Sequence, residues 1–137
     1  MILFKKFILI GFLFVTNLSF AQSWHAEKTD GTRYQLSKTS TGVYTLKLKS
    51  PYGTVCISKL TVNKTLYDNA YAMEVFRNSK KDEYCTEKIT EGKCEPWTSK
   101  VILSWYEKPD CFMSCAVMSL VLDDGFDIEK IVFYEDK

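Results

Sequence analysis

The chain has 137 residues and a nearly balanced charge, with 18 Lys and Arg against 17 Asp and Glu. A hydrophobic content of 46% is ordinary for a folded domain and argues against intrinsic disorder. Once a leader is set aside, the length suits one domain and is too short for two.

The first 21 residues have the pattern of a secretory signal peptide. Lys5 and Lys6 form a positive start, residues 7–15 form an apolar run, and Ala21 is a small residue at the cleavage position. The apolar run is shorter than the roughly 20 residues of a membrane-spanning helix. We therefore expect cleavage after Ala21 and export of one domain, residues 22–137, to the periplasm or the medium. No membrane association is expected after cleavage.

The cysteines beyond the leader are typical of an exported domain stapled by disulfides. They are Cys56, Cys85, Cys94, Cys111 and Cys115. Because their number is odd, at least one is free or pairs with another chain. Cys85 and Cys94 bracket a short polar segment, and we predict a bridge between them. The rest of the connectivity stays open, since Cys111 and Cys115 can pair only across a helical or kinked segment.

The same cysteines do not match a zinc site. Their spacing lacks the C-x2-C knuckle of structural zinc sites, and thiolates of exported proteins tend to oxidise first. The sequence also lacks a redox-active C-x-x-C motif. We predict neither a metal nor a cofactor.

From Trp24 onward, turn signals recur about every ten residues between short runs rich in β-forming residues. Tyr44, Leu46 and Leu48 alternate with polar residues, as in a half-buried strand. The pattern predicts a mainly β domain, a small antiparallel meander sheet forming a sandwich or a partly open barrel. We favour the partly open sheet, because the N-terminal runs look too polar to line a closed barrel.

Residues 65–78 fit either a helix or a strand. The run from Thr65 to Asp68 resembles a weak capping box, whereas Tyr71, Met73 and Val75 alternate as a strand would. We favour a helix near 65–78, which would make the fold α+β.

The last two predicted strands flank a turn at residues 123–125. A three-residue loop with Gly125 in the left-handed conformation places Leu122 opposite Phe126. We expect this register, because it separates apolar from polar faces better than a two-residue loop does.

Two features invite a catalytic interpretation. His25 is the only histidine, and without a recognisable nucleophile motif we expect it exposed on a first strand. The carboxylates between residues 123 and 129 fail the spacing of a calcium loop, and turn chemistry explains the first two of them. We therefore predict that the protein is not an enzyme. A small secreted hydrolase using an acidic pair in that segment is kept as an alternative.

Three aromatic residues between positions 97 and 106 are the candidate binding residues. Trp97 follows a proline in a loop and is the first candidate, together with Tyr106 and Trp105. Trp105 lies in an apolar strand, where core packing explains it as well.

These features predict a non-enzymatic exported module that recognises another protein, such as an envelope or extracellular enzyme that it restrains. The alternative is a calycin-like barrel that binds a small apolar ligand. Nucleic acid is not expected as a partner, because the lysines look dispersed and only Arg33 and Arg77 carry guanidinium groups.

Overall fold

The computed structural model describes residues 22–66, 79–106 and 116–136. Eight strands run through these segments, and neighbouring strands are antiparallel. They are Gln22–Glu27 (β1), Arg33–Ser40 (β2), Val43–Lys49 (β3), Val55–Leu66 (β4), Ser79–Glu91 (β5), Lys100–Tyr106 (β6), Ala116–Asp123 (β7) and Ile128–Glu135 (β8). Each strand pairs with the next in chain order, and β8 pairs with β1 to close a barrel.

The mainly β meander is therefore confirmed, and the barrel is closed rather than partly open. The polar N-terminal runs line it because only every second residue of a strand faces inward. Trp24 and Ala26 of β1 are buried, as are Tyr34 and Leu36 of β2, while their polar neighbours point outward. The alternation predicted for β3 is confirmed in the same way.

One hydrophobic cluster fills the interior. Its buried members come from seven strands: Trp24, Ala26, Tyr34, Leu36, Tyr44, Leu46, Leu60, Val101, Leu103, Met118, Leu120, Leu122, Ile131 and Phe133. Among the described residues, β5 adds only the partly buried Cys85 to this cluster. Most of the other inward positions of β5 are polar, and they define the candidate site below.

The predicted register of the β7–β8 hairpin is wrong. Leu122 pairs with Glu129 rather than Phe126, because the connection has four residues instead of three. The Asp124 carboxylate accepts hydrogen bonds from the backbone N–H groups of Phe126 and Asp127, at 2.7 and 2.6 Å. These bonds stabilise the longer turn and leave Phe126 exposed at its tip.

The predicted bridge between Cys85 and Cys94 is also wrong. Cys94 is joined to Cys56, with 6.1 Å between their Cα atoms, and Cys85 is a free thiol. β5 continues six residues beyond Cys85, which carries the chain about 20 Å away in an extended conformation. Gly92 then approaches β4 so closely that a Cβ would lie 2.5 Å from the Val55 carbonyl oxygen. This approach needs glycine and places Cys94 beside Cys56.

Several predictions concern residues outside the segments that the structure describes. The signal peptide, Cys111 and Cys115 lie outside the described residues, as does the helix near 65–78 beyond its first two residues, which end β4. Export therefore stays a prediction. In the three described ranges, no helix is long and apolar enough to cross a membrane.

Candidate functional site

A cavity of about 300 Å³ opens at the end of the barrel where β1 begins and β6 ends, here termed the cavity end. Its walls combine aromatic side chains with charged ones. Gln22, Lys38 and Glu135 lie at its rim, and Trp24, Tyr44 and Trp105 lie deeper.

Trp24, Tyr44 and Trp105 form an aromatic trio at the floor of this cavity. They occupy inward positions of β1, β3 and β6, and closure of the barrel brings these strands around one axis. The ring centroids of Trp24 and Trp105 are 5.0 Å apart in an edge-to-face arrangement. Tyr44 lies 5.9 Å from Trp105 and 6.4 Å from Trp24. These separations are those of aromatic rings that stabilise one another, so the floor is a packed surface.

A partly buried ion pair lies beside the trio. Glu83 is only 4% exposed, and its carboxylate accepts a hydrogen bond from the Tyr44 hydroxyl at 3.2 Å. The Lys81 ammonium lies 2.9 Å from the same carboxylate and 5.8 Å from the centre of the Trp105 ring. Burial and the Glu83 charge raise the pKa of the Tyr44 hydroxyl, so it remains a donor. These contacts hold Lys81 at the cavity wall, where Glu83 is its buried counter-ion.

The inward side chains of β5, here termed the polar wall, continue away from the cavity. They are Lys81, Glu83, Cys85 and Glu87, and the half-buried Ile89 follows on the same face, opposite the buried Ser58. Glu87 accepts hydrogen bonds from the Ser58 hydroxyl at 2.7 Å and the Trp97 backbone N–H at 2.9 Å.

Burial, with the neighbouring Glu83 charge, raises the pKa of the Cys85 thiol to about 12. That thiol is protonated and a poor nucleophile at neutral pH.

The three predicted binding residues do not lie together. Trp105 and Tyr106 line the cavity, and the Tyr106 hydroxyl is 2.7 Å from the Ser119 hydroxyl. Trp97 follows β5 at the other end of the barrel, where it is half-buried and packs against the core. Packing against the core therefore explains why part of the Trp97 side chain is buried.

Sequence reasoning missed Trp24, Lys81 and Glu83 as site residues. The segment that contains the last two is rich in charge and looks like an exposed strand or a loop. Its cross-strand pairing, with Lys81 opposite Trp105 and Glu83 opposite Leu103, reveals that this face points inward. No periodic signal within the segment itself could have shown it.

His25 is exposed on the first strand, as predicted. Its Nδ1 contacts the Asp136 carboxylate, which also accepts a hydrogen bond from the Ser23 hydroxyl at 2.5 Å. The Ser23 hydrogen bond is the main cause that lowers the pKa of Asp136, followed by His25. Because Asp136 lies between the other two, serine and histidine do not form a nucleophile–base pair. The group instead joins the chain after β8 to β1.

The acidic segment around the β7–β8 turn has local partners. Asp123 accepts a hydrogen bond from the Gly125 backbone N–H at 2.9 Å, and Glu129 pairs with Lys28 at 2.5 Å. Turn chemistry and ion pairing thus account for these carboxylates. Across the described residues, no three His, Cys, Asp or Glu side chains gather as a metal site would require.

Comparisons with protein families, curated proteins and solved structures find no match for this chain.

Proposed function

We propose that the protein binds a small molecule in the cavity at the cavity end of the barrel. The molecule places a flat apolar body against the aromatic trio and an anionic group near Lys81. The observation that carries this proposal is the cavity itself, bounded by Trp24, Tyr44 and Trp105 and by a lysine whose counter-ion is buried. The calycin-like alternative predicted from the sequence is thus preferred to protein recognition.

The volume of the cavity limits the size of the ligand. At about 300 Å³, it lies at the lower end of the range of small-molecule sites in proteins. One or two fused rings with a short substituent suit such a space. Long acyl chains do not, because the barrel interior below the trio is filled by the hydrophobic cluster.

The polar groups around the cavity favour an acidic ligand over a purely apolar one. Lys38 and Lys81 both present ammonium groups, and in the described part of the chain Lys38 has no ion-pair partner. The Trp105 Nε1–H is buried beside the cavity without a hydrogen-bond acceptor among the described residues. Among the described residues, Glu135 is the one carboxylate that lines the cavity. Donors thus outnumber acceptors, which suits a carboxylate or sulfonate group.

The test uses 8-anilinonaphthalene-1-sulfonate, which combines an aromatic body with an anionic group. We expect saturable binding to the folded monomer, with one site and enhanced fluorescence. The Lys81→Met/Glu83→Gln double variant removes both charges of the ion pair, so no unpaired carboxylate is left buried. Its dye affinity should fall about tenfold, the effect of losing about 1.4 kcal/mol of charge interaction.

Two measurements complete the test. Lys100→Met removes a lysine at the opposite end of the barrel and should leave dye affinity unchanged. The uncharged analogue N-phenyl-1-naphthylamine should bind wild type more weakly than the sulfonate does. No dye binding to the folded monomer, or equal affinity of wild type and the double variant, would contradict the proposal.

Recognition of another protein is a second candidate, supported by a different observation. Tyr52 and Phe126 are 95% and 97% exposed at turn tips on the end opposite the cavity. Exposed aromatic side chains are common anchors of protein interfaces. If they bind a partner, a Tyr52→Ser/Phe126→Ser variant will fold normally and lose a companion that co-purifies with wild type. Retention of that companion by the variant would exclude these two residues as anchors.

A further inference from the structure

The charge of this protein is unevenly distributed along the chain. Between Asp30 and Asp68 there is no acidic residue, yet this stretch carries six lysines and arginines. It forms β2, β3 and β4, which are neighbours in the barrel. In a meander, consecutive strands lie side by side, so a charge bias along the sequence becomes one on the surface. The lysines that look dispersed in the sequence are therefore gathered.

Four of these cations, together with Lys88 of β5, point outward on adjoining strands and are termed the basic face. They are Arg33, Lys47, Lys49, Lys59 and Lys88, and all are exposed. Arg33 lies directly opposite Lys49, and Lys59 lies directly opposite Lys88. Like charges at directly opposed positions destabilise a sheet. Two such pairs lie on this face, which is bordered by Glu27 opposite Arg33 on β1 and by Glu91 on β5.

The cations of the basic face form a row rather than a ring. Neighbouring strands are about 4.8 Å apart, and residues two positions apart on a strand are separated by about 6.8 Å. The row therefore crosses four strands, β2 to β5, in steps of roughly 5–8 Å. A surface recess of about 420 Å³ lies at one end of the row, and Arg33, Lys47 and Lys49 line it together with the carboxylates of Glu27 and Asp136. Glu27 is the nearest acid to Arg33, at 3.9 Å, and both are exposed.

We propose that the basic face binds a linear acidic polysaccharide, a sugar chain bearing sulfate or carboxylate groups. The row of cations matches a chain with regularly spaced anionic groups. Among the cations lie Gln35 and Thr45, whose amide and hydroxyl groups suit sugar hydroxyls, and the half-buried Ile57, which is opposite Lys47. This site is on the outside of the barrel and is independent of the proposed cavity ligand.

Other polyanions fit this face less well. Single-stranded nucleic acid is held by bases stacked on aromatic side chains interleaved with the cations. The exposed large hydrophobic residues of the described chain are Tyr52, Val55, Phe126 and Ile128; only the aliphatic Val55 borders the row, opposite Lys49, and no exposed aromatic residue lies among the five cations. A membrane surface would require apolar side chains that insert among the lipids. The face offers charge and hydrogen-bonding groups, which is the chemistry of a sugar polymer.

The test measures affinity for a heparin oligosaccharide over a series of sodium chloride concentrations, with the full purified protein. We expect binding that weakens with salt. The Lys47→Gln/Lys49→Gln variant should lose at least about tenfold in affinity, and the slope of log Kd against log salt should fall by about two. The control Lys93→Gln/Lys100→Gln makes the same charge change at exposed positions beyond the basic face and should stay within about twofold of wild type.

Three results would overturn the proposal. Equal losses in the two double variants would mean that net charge alone drives binding. Unchanged affinity of Lys47→Gln/Lys49→Gln would show that the basic face is not the site. Tighter binding to single-stranded DNA of matched charge, or to vesicles containing phosphatidylserine, would assign the face to a different polymer or to a membrane.

Discussion

Two walls of the same barrel interior are built from opposite chemistry. The apolar wall consists of inward residues of β6 and β7: Val101, Leu103, Met118, Leu120 and Leu122. The polar wall on the adjoining strand β5 carries Lys81, Glu83, Cys85 and Glu87. Glu83 and Leu103 are direct cross-strand neighbours, yet one is a hydrogen-bonded carboxylate and the other a fully buried aliphatic side chain.

This contrast shows how a small barrel accommodates buried charge. A charged group in the interior requires hydrogen-bonding and ionic partners, because it loses its hydration. Glu83 has two, the Tyr44 hydroxyl and the Lys81 ammonium, and Glu87 has the Ser58 hydroxyl and a backbone N–H. The apolar wall contributes packing, and the polar wall places charged and hydrogen-bonding groups next to the cavity.

The largest expected effect is on the apolar wall. Leu120→Ala removes a fully buried side chain and should lower the free energy of unfolding by about 2–5 kcal/mol. Urea unfolding monitored by tryptophan fluorescence measures the loss. Dye affinity of the folded fraction should not change, because Leu120 does not line the cavity. A loss below about 1 kcal/mol would mean that this wall does not dominate stability.

A smaller loss is expected on the polar wall. Glu83→Gln keeps an acceptor for the Tyr44 hydroxyl but removes the ion pair with Lys81, and should cost about 1–3 kcal/mol. The exposed Glu91→Gln is the matched control, with little change expected. The same urea titration applies. A larger loss of unfolding free energy for Glu83→Gln than for Leu120→Ala would mean that the polar wall contributes more to stability than the apolar wall does.

The contact between β1 and the residue that follows β8, where the barrel closes, should respond to pH. The lowered pKa of Asp136 means that its contribution is present above the ordinary carboxyl pKa of about 3.9 and is lost as pH falls through the folded value. At pH 7, Asp136→Asn should cost at most about 1 kcal/mol, since the group is near the surface. The difference from wild type should vanish near about pH 2. A difference of constant size at both pH values would contradict this role.

The smallest effect is expected on the reaction rate of the Cys85 thiol rather than on the free energy of unfolding. The raised pKa and partial burial of Cys85 predict that iodoacetamide at pH 8 modifies it at least about tenfold more slowly in the folded protein than in urea. Peptide mapping by mass spectrometry distinguishes Cys85 from the other cysteines. Rapid labelling of Cys85 in the native state would show that the polar wall is open to solvent there.

Local patterns predicted the strands well and their partners poorly. Alternation in β3 and turn residues between the early strands identified the meander, because both signals lie within a few residues. The disulfide partner of Cys94 depends on the close approach of Gly92 to β4, which no local pattern encodes. The β7–β8 register depends on two backbone N–H groups bonding to one Asp124 carboxylate, and the sequence allowed turns of several lengths.

The candidate site was partly visible in the sequence. Trp105 and Tyr106 were singled out as aromatic candidates, and both line the cavity. The ion pair of Lys81 with Glu83 was not foreseen, because charged residues in an isolated strand are ordinarily solvated. Only pairing of β5 with β6 turns those side chains inward.

The sequence by itself determined that this chain forms antiparallel strands joined by turns, since period-two alternation and turn chemistry act between near neighbours. The tertiary structure decided that β8 meets β1, that Cys56 rather than Cys85 bridges Cys94, and that charge lies inside one wall. Closure is a property of all eight strands together. It depends on contacts between residues far apart in the chain, which no local pattern specifies.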